Sequence, residues 1–289
     1  PAIGRIELAR ACMSECTFCQ TKLATGDLQS YRVGDIVRQV NAELSDGCNE
    51  VWLTSTDNGC YGFDIDSDLP KLLHTISEIP QKFFIRVGMM NPMYVPRIRD
   101  GLLKSFESTK VFKFLHIPVQ SGSDKVLNDM KRGHTSQTFR DITNQFRDKF
   151  EKFTISTDVI VGFPTETVDD FEQTLQLLQE TKPDIVNLSR YSRRPGTDAA
   201  EMKQIDVAEV KRRSKIAYEL ITKISNENNR KWIGWEGHVI FDEEYESQIR
   251  GRNFAYKPIF VKEMPKIGQI INVKITDATN HSLIGKIIS

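Results

Sequence analysis

The residues IELARACMSECTFC, numbers 6 to 19, decide how this sequence is interpreted. A short apolar run, typical of a buried strand, leads directly into Cys12, Cys16 and Cys19, spaced Cys-x3-Cys-x2-Cys. The 289 residues contain only two other cysteines, Cys48 and Cys60. Because a closed zinc or iron–sulfur site usually takes four protein ligands, this group of cysteines is one ligand short.

Five further apolar, β-rich runs follow the first, and helical periodicity fills most of the gaps between them. After the first run, for example, Ile36, Val40 and Leu44 fall on one face of a helix. A strand and a helix that alternate six times predict a parallel α/β sheet with helices outside it. Since six units are too few for a closed eight-unit barrel, we expect a partial (β/α)6 barrel. The five later runs cover residues 50–56, 83–89, 113–120, 153–163 and 184–192.

The pattern changes after about residue 229, where short alternating runs are broken by Gly, Asn and Pro. About 60 residues of this kind predict a small five-stranded antiparallel β-barrel of the oligonucleotide-binding type. We therefore divide the chain into residues 1–228, with the partial barrel and its closing helix, and residues 229–289, with the small barrel.

Composition and charge narrow the classes of function. The 39 Lys and Arg residues balance the 39 Asp and Glu residues, so the net charge neither requires nor forbids a nucleic-acid partner. No apolar run reaches the roughly 18 residues that a membrane span requires, and the start of the sequence does not resemble a secretory signal. Three closely spaced cysteines and two scattered ones do not indicate a disulfide framework, so we expect a cytoplasmic protein that does not act at a membrane.

The three cysteines allow three interpretations. They could be ordinary core cysteines, or ligands of a zinc ion whose fourth ligand lies elsewhere in the chain. They could also hold a 4Fe-4S cluster with one iron left open, which would then bind a substrate or a cofactor. The third interpretation is favoured, because active sites of parallel sheets lie at the carboxyl ends of the strands and the cysteines follow such a strand.

The cysteine spacing, with Phe18 before the last cysteine, resembles the radical S-adenosylmethionine (SAM) enzymes. In that superfamily the amino and carboxylate groups of SAM chelate the open iron, so the resemblance implies a 4Fe-4S cluster and SAM as cofactors. Residues 251–287 resemble the RNA-binding TRAM domain. The closest-looking branch methylthiolates C2 of N6-threonylcarbamoyladenosine in tRNA, next to the anticodon. The blocks that resemble the radical SAM methylthiotransferases are residues 47–62, 86–92, 112–135, 157–171 and 186–197.

The resemblance also implies which residues bind SAM. Thr54 and Asp57 would face the amino group of SAM, and Gln120 and Ser121 would lie near its ribose. The guanidinium of Arg132 would pair with the methionyl carboxylate of SAM. Each has a plainer alternative: Asp57 as a turn residue, Gln120 and Ser121 as partners of backbone groups, and Arg132 as a solvated helix-end charge. The complete predicted set is Phe18, Thr54, Asp57, Gln120, Ser121, Arg132, Asp158 and Gly162, the last allowing close approach to the adenine.

RNA contact is predicted from the segment RGRNFAYKP at residues 250–258, where cations alternate with aromatic rings. Cations contact phosphates and rings stack on unpaired bases, although a solvated barrel loop would look similar. We expect tRNA rather than DNA as the partner. The predicted RNA-binding residues are Arg250, Arg252, Asn253, Phe254, Tyr256 and Lys257, together with Arg193 and Arg194 near the sixth strand end.

One departure from the methylthiotransferase pattern bears on activity. Family members carry an N-terminal domain whose three further cysteines hold a second 4Fe-4S cluster, and Cys48 and Cys60 cannot replace it. We therefore expect that this chain is a piece of a longer protein or has lost part of the reaction. With SAM and an electron donor it should cleave SAM without thiolating RNA. The alternatives are a relative that acts on another adenosine or a ribosomal protein, and a non-catalytic RNA-binding protein with a structural cluster.

Overall fold

The computed structural model describes residues 2–288, and strands and helices alternate along it as predicted. The helices are α1 Gln20–Thr25, α2 Val33–Ser45, α3 Leu69–Ser77, α4 Val95–Ser105, α5 Asp124–Asp129, α6 Ser136–Lys149, α7 Val168–Thr181, α8 Asp198–Glu201 and α9 Val207–Arg230. The strands are β1 Ile3–Arg10, β2 Gln29–Ser30, β3 Glu50–Ser55, β4 Phe84–Val87, β5 Phe114–His116, β6 Thr154–Val161, β7 Ile185–Arg190, β8 Glu236–Tyr245, β9 Gln248–Arg252, β10 Pro258–Val261, β11 Ile270–Ala278 and β12 Leu283–Ile287. Within the described residues, no helix is both long and apolar enough to span a membrane.

Strands β1, β3, β4, β5, β6 and β7 form the predicted partial barrel. The pairs β1/β3, β3/β4, β5/β6 and β6/β7 are all parallel, and a bridge between Ile85 and Val111 joins the two halves. The short strand β2 pairs antiparallel with β1. In the described chain β1 and β7 are not neighbours, so the sheet stays open on one side.

The helices cover the sheet with the faces that periodicity predicts. Ile36, Val40 and Leu44 of α2 are all buried, as are Phe171 and Leu178 of α7. Apolar side chains from both layers join one large core. Removing apolar area from water contributes roughly 25 cal/mol per Å², so this layered core is the main stabilising element of the fold.

The small barrel is closed, with strand order β10-β12-β11-β8-β9. Four neighbouring pairs are antiparallel, but β10 and β12 run parallel, with Ile259 opposite Leu283. The expectation of an entirely antiparallel barrel is therefore wrong for one pair. The reason is topological, because strand direction must return to itself around a closed ring, and five pairs cannot all reverse it.

The small barrel contacts the partial barrel at the amino ends of the parallel strands. Phe112 and Phe114 pack with Tyr256 and Ile240 of the small barrel. The backbone N–H of Lys113 donates to the carbonyl of Phe254 at 2.7 Å. Since the cysteine loop follows the carboxyl end of β1, the small barrel and the cysteines lie at opposite ends of the sheet.

Candidate active site

The cysteine loop begins where β1 ends. Ala11 has a φ of 58°, which turns the chain out of the strand and over the end of the sheet. Cys12 is buried, whereas Cys16 and Cys19 are half-buried. The backbone N–H of Cys19 donates to the carbonyl of Cys16 at 3.0 Å, which closes a tight turn between the last two cysteines. This turn places Cys16 and Cys19, both only partly buried, close together after the carboxyl end of β1.

The loop offers three thiols to an iron–sulfur cluster. Cys12, Cys16 and Cys19 lie on one loop, and all three are free of disulfides. In a 4Fe-4S cluster each thiolate binds its own iron, so three cysteines on one loop suit a cluster with one open iron. Among residues 2–288, no group of three Cys, His, Asp or Glu side chains is arranged to hold a single metal ion.

Arg132 supplies a positive charge next to the cysteines. It is only 4% exposed, and its Nη1 lies 3.1 Å from Sγ of Cys16. Its Nη2 donates to the carbonyl of Pro118 at 3.0 Å, while its buried Nε has no hydrogen-bond partner among the described residues. The alternative of a solvated helix-end charge is wrong, because the guanidinium is buried against the cysteine loop. It fits a site for anionic groups, since a guanidinium favours thiolates and carboxylates.

A cavity of about 460 Å³ opens beside Cys19 at the carboxyl ends of β6 and β7. Its walls include Phe18, Gln120 and Asp158, so the structure brings these three predicted residues together. The side-chain Oε1 of Gln120 is buried and has no hydrogen-bond partner within residues 2–288, and its backbone has a φ of 73°. A strained residue with an unsatisfied acceptor at a cavity wall is typical of a binding site.

Asp158 is held in its charged form at the cavity wall. Its Oδ1 is 2.8 Å from Nε2 of His116 and accepts from Nδ2 of Asn187 at 2.7 Å. Burial alone would raise the pKa of Asp158, but these hydrogen bonds outweigh burial and hold the pKa below its usual value. Asn187 and His116 were not predicted, although Asn187 faces Asp158 in the register between β6 and β7.

Asp57 shapes the floor beneath the cysteine loop. Its Oδ1 accepts from the backbone N–H groups of Gly59 and Asn91 at 2.9 and 3.0 Å, so its contacts are those of a turn residue. Burial raises the pKa of Asp57 to about 6, although these two hydrogen bonds oppose the shift. Thr54 donates to the carbonyl of Ile6. Contact of Thr54 and Asp57 with the SAM amino group stays a prediction.

Comparisons with known proteins agree with this geometry. Residues 6–178 match the radical SAM superfamily, and residues 239–288 match the TRAM domain. The chain is 42% identical to a probable threonylcarbamoyladenosine tRNA methylthiotransferase of Archaeoglobus fulgidus, covering 99% of this chain and 68% of that protein. This chain belongs to the threonylcarbamoyladenosine tRNA methylthiotransferase family, within the radical SAM superfamily.

More distant relatives support the same placement. The threonylcarbamoyladenosine tRNA methylthiotransferase of Drosophila melanogaster is 37% identical over 292 residues, and this chain spans 52% of its length. The coproporphyrinogen III oxidase of Escherichia coli, a radical SAM enzyme, superposes with a TM-score of 0.56 at 14% identity, covering 98% of this chain and 70% of that one. A radical SAM methyltransferase from Kitasatospora setae, solved with cobalamin and a [4Fe-4S] cluster, superposes with a TM-score of 0.57 at 13% identity. The superposition covers 68% of this chain and 38% of that one. At these identities the structures show a shared fold.

Two predicted cofactor residues of this methylthiotransferase family member also have structural contacts. Ser121 is fully buried, its Oγ lies 3.3 Å from Oγ1 of Thr174 in α7, and it accepts from the backbone N–H of Ser123. Gly162 has a φ of 79°, and a Cβ there would lie 2.6 Å from the side chain of Val210 in α9. Ser121 therefore anchors its loop, and packing against α9 by itself accounts for the glycine. Contact of Ser121 and Gly162 with SAM stays a prediction.

The TRAM residues predicted to contact RNA lie mostly inside the interface with the radical SAM barrel. Tyr256 packs between Phe112 and Phe114, and the carboxamide of Asn253 accepts from the backbone N–H groups of Ala255 and Lys257. These buried positions correct the prediction that Asn253 and Tyr256 face RNA. Their sequence pattern reflects a loop that folds onto another domain, which a single sequence does not distinguish from an exposed loop.

Lys257 is the clearest correction, because a phosphate-binding lysine must reach solvent. It is 1% exposed, and its Nζ contacts Oδ1 of Asp184 at 2.8 Å and Oδ1 of Asn229 at 3.1 Å. The lysine thus joins the TRAM barrel to the start of β7 and to α9. Its charge stabilises the domain interface and is not available to RNA.

The remaining predicted RNA residues differ in accessibility. Arg252 is nearly buried above the ring of Tyr256, and Arg250 pairs with Glu243. Phe254 is 36% exposed and packs on Trp232 at a centroid distance of 5.9 Å. Arg193 and Arg194 are exposed in the segment after β7. RNA contact through Phe254, Arg193 and Arg194 stays a prediction.

Proposed function

We propose that this chain carries the radical SAM and RNA-binding parts of an enzyme that adds a methylthio group to C2 of N6-threonylcarbamoyladenosine in tRNA. The observation that supports it most directly is the loop of Cys12, Cys16 and Cys19 beside a 460 Å³ cavity at the carboxyl ends of the strands. Its relatives are named as threonylcarbamoyladenosine tRNA methylthiotransferases, and residues 6–178 match the radical SAM superfamily. Residues 1–228 would carry the chemistry and residues 229–289 the RNA contact, with the cytoplasm as the site of action.

In this proposal the chain's own residues bind the cofactors and orient the substrate. Cys12, Cys16 and Cys19 would hold the 4Fe-4S cluster, which when bound supplies one electron for reductive cleavage of SAM. Arg132, whose Nη1 lies 3.1 Å from Sγ of Cys16, would offset negative charge there and bind the methionyl carboxylate. Phe18, Gln120 and Asp158, which line the cavity beside Cys19, would form the SAM and adenine pocket.

Completion of the reaction requires groups that this chain does not supply. The archaeal relative is longer, since the chain spans 68% of it. We assign sulfur insertion to a second 4Fe-4S cluster held in a longer form, and the electron to an external reductant. The 289 residues alone should therefore cleave SAM without thiolating RNA.

The first test is anaerobic reconstitution with iron and sulfide, followed by electron paramagnetic resonance of the reduced protein with and without SAM. We expect a four-iron signal that shifts when SAM is added, and we expect Cys16→Ala to lose it. Cys48→Ala is the matched control, because Cys48 lies beside Glu43 at the opposite end of the sheet. A cluster indifferent to SAM would favour a non-catalytic RNA-binding protein, and a methylthiolated nucleoside made by this chain alone would contradict the need for a second cluster.

A further inference from the structure

The cysteine loop is attached to the rest of the domain by two residues that lie between its cysteines. Ser14 is 6% exposed and Thr17 is 5% exposed, whereas Met13 and Glu15 are exposed. Because a buried hydroxyl is normally hydrogen-bonded, the partners of these two side chains show what holds the loop in place.

Ser14 attaches the first half of the loop to the segment that follows β4. Its Oγ accepts from Nδ2 of Asn91 at 3.1 Å and lies 3.2 Å from the hydroxyl of Tyr94. Asn91 is itself held, because its backbone N–H donates to Oδ1 of Asp57 at 3.0 Å. None of these contacts involves Arg132.

Thr17 attaches the second half of the loop to the C-terminal end of α5. Its Oγ1 donates to the carbonyl of Asp129 at 2.9 Å, and its backbone N–H donates to the carbonyl of Met130 at 3.1 Å. The carbonyl of Thr17 accepts from the backbone N–H of Ala199 in α8 at 3.0 Å. The backbone and the hydroxyl of Thr17 thus hold the loop between the ends of two helices.

The turn that holds Thr17 also carries Arg132. The backbone N–H of Arg132 donates to the carbonyl of Leu127 at 2.9 Å, which closes the end of α5. From this turn the guanidinium reaches the cysteine loop, where its Nη1 lies 3.1 Å from Sγ of Cys16. Thr17 fixes the backbone next to Cys16 and Arg132 contacts its sulfur, so one turn sets the distance between the guanidinium and the thiol.

Resting on the cluster of the function proposed above, we propose that Thr17 is a positioning residue that sets the reduction potential of the cluster by holding Cys16 beside Arg132. A positive charge and a hydrogen bond at a ligand sulfur favour the reduced, more negative cluster and therefore raise its potential. The plainer alternative is that Thr17 only satisfies the end of α5. Its loss would then cost stability and leave the cluster unchanged.

The test compares Thr17→Val with Thr181→Val in the reconstituted 289-residue protein. Thr181 is a matched control, because it is also buried and its Oγ1 donates to the helix carbonyl of Leu177 at 2.7 Å. It ends α7 and precedes the amino end of β7, at the opposite end of the sheet from the cysteines.

We expect Thr17→Val to lower the midpoint potential of the cluster in a redox titration followed by electron paramagnetic resonance. It should also retain iron about tenfold less well in competition with a chelator, at the lower end of the effects of residues that orient metal ligands. The lower end applies because both backbone hydrogen bonds of Thr17 remain. Thr17→Ser keeps the hydroxyl and should match the wild type in both measurements, as should Thr181→Val.

A double variant shows whether Thr17 acts through Arg132. Arg132→Gln alone should lower the potential, and adding Thr17→Val should lower it no further, since the charge that Thr17 positions is already gone. Additive shifts in the double variant, or an unchanged potential in Thr17→Val, overturn the proposal. Thermal unfolding should show equal losses of stability for the two Val variants. If Thr17→Val does not fold, Thr17→Ala removes the same hydroxyl and is measured in its place.

The proposal and the proposed function fail in different ways. A wild-type cluster that is indifferent to SAM would refute the function and leave this proposal intact, because the potential is measured without SAM. A cluster that responds to SAM, with the same potential in Thr17→Val, would refute only the positioning role. A wild-type protein that assembles no cluster would refute both.

Discussion

Replacement of Lys257 by Met tests whether this lysine joins two domains or binds RNA. The change removes the ammonium group while it keeps an apolar chain of similar length in the interface. Asp184 would then lose the 2.8 Å ion pair, and Asn229 would lose a donor at 3.1 Å. A carboxylate left without its partner in a buried position is costly, because it has lost water without gaining an equivalent contact.

The loss of stability in Lys257→Met depends on the polar contacts that Asp184 retains. Removing one partner of a buried ion pair typically costs about 3–5 kcal/mol. Asp184 retains a hydrogen bond from the backbone N–H of Ile155 at 3.0 Å, and Nη2 of Arg147 lies 3.9 Å from its Oδ2. We therefore expect the lower end of that range, about 3 kcal/mol, which is a roughly 100-fold change in the folding equilibrium.

Urea unfolding followed by tryptophan fluorescence measures this change, because Trp52 and Trp232 both pack in or next to the small barrel. Lys262→Met is the control, since Lys262 is exposed in the same barrel, and should cost less than about 0.5 kcal/mol. RNA affinity of folded Lys257→Met should keep its salt dependence. The reasoning is refuted if both variants lose the same stability. It is also refuted if Lys257→Met lowers the slope of log RNA affinity against log salt concentration by about one, as loss of a phosphate contact would.

Two further predictions concern buried groups. Glu50 and Asp242 face each other in the domain interface, and burial raises the pKa of Glu50 from 4.5 to about 9. Because the unfolded chain ionises this group at lower pH than the folded chain, stability should fall as pH rises from 4.5 to about 9. Glu50→Gln should stabilise the protein at pH 8 and flatten that fall in urea titrations, and unchanged pH dependence would contradict this. Gly162→Ala should cost about 3 kcal/mol in thermal unfolding, from its positive φ and the contact with Val210. Gly234→Ala, where a Cβ meets nothing within 4 Å, should cost about 1 kcal/mol, and equal losses would remove the contact from the explanation.

The fold was largely predictable because its signals are local. Six apolar runs and the helical faces between them follow from the periods of strands and helices, as at Ile36 and Val40. The parallel pair β10/β12 was missed, because closely spaced strands are ordinarily interpreted as antiparallel hairpins. An odd number of strands forces one parallel pair only when the barrel closes. Closure is a property of the assembled sheet and leaves no mark on any one strand.

The site was predictable where a residue's chemistry is unusual and unpredictable where its role depends on neighbours. Three cysteines on one loop have few alternative uses, and the cysteine loop is where the sequence placed it. Lys257 and Ser121 carry ordinary chemistry, and only packing assigns one to Asp184 and the other to Thr174. Asn187 was missed because its significance lies in the register between β6 and β7, which brings it to Asp158.

The position of the TRAM barrel constrains how an RNA can use both domains. The barrel sits at the amino ends of the strands, and the cavity lies at their carboxyl ends. Strand β6 has eight residues, and at roughly 3.3 Å per residue it separates the two ends by about 26 Å. An RNA that contacts the TRAM surface near Phe254 while it places a base in the cavity must span this length outside the barrel. A short single strand would lose much conformational entropy in doing so, because many of its rotatable bonds would become fixed. A folded stem-loop is already ordered before it binds and presents an unpaired base at a fixed distance from its stem. The architecture therefore favours a structured RNA such as the anticodon arm of tRNA over short oligonucleotides.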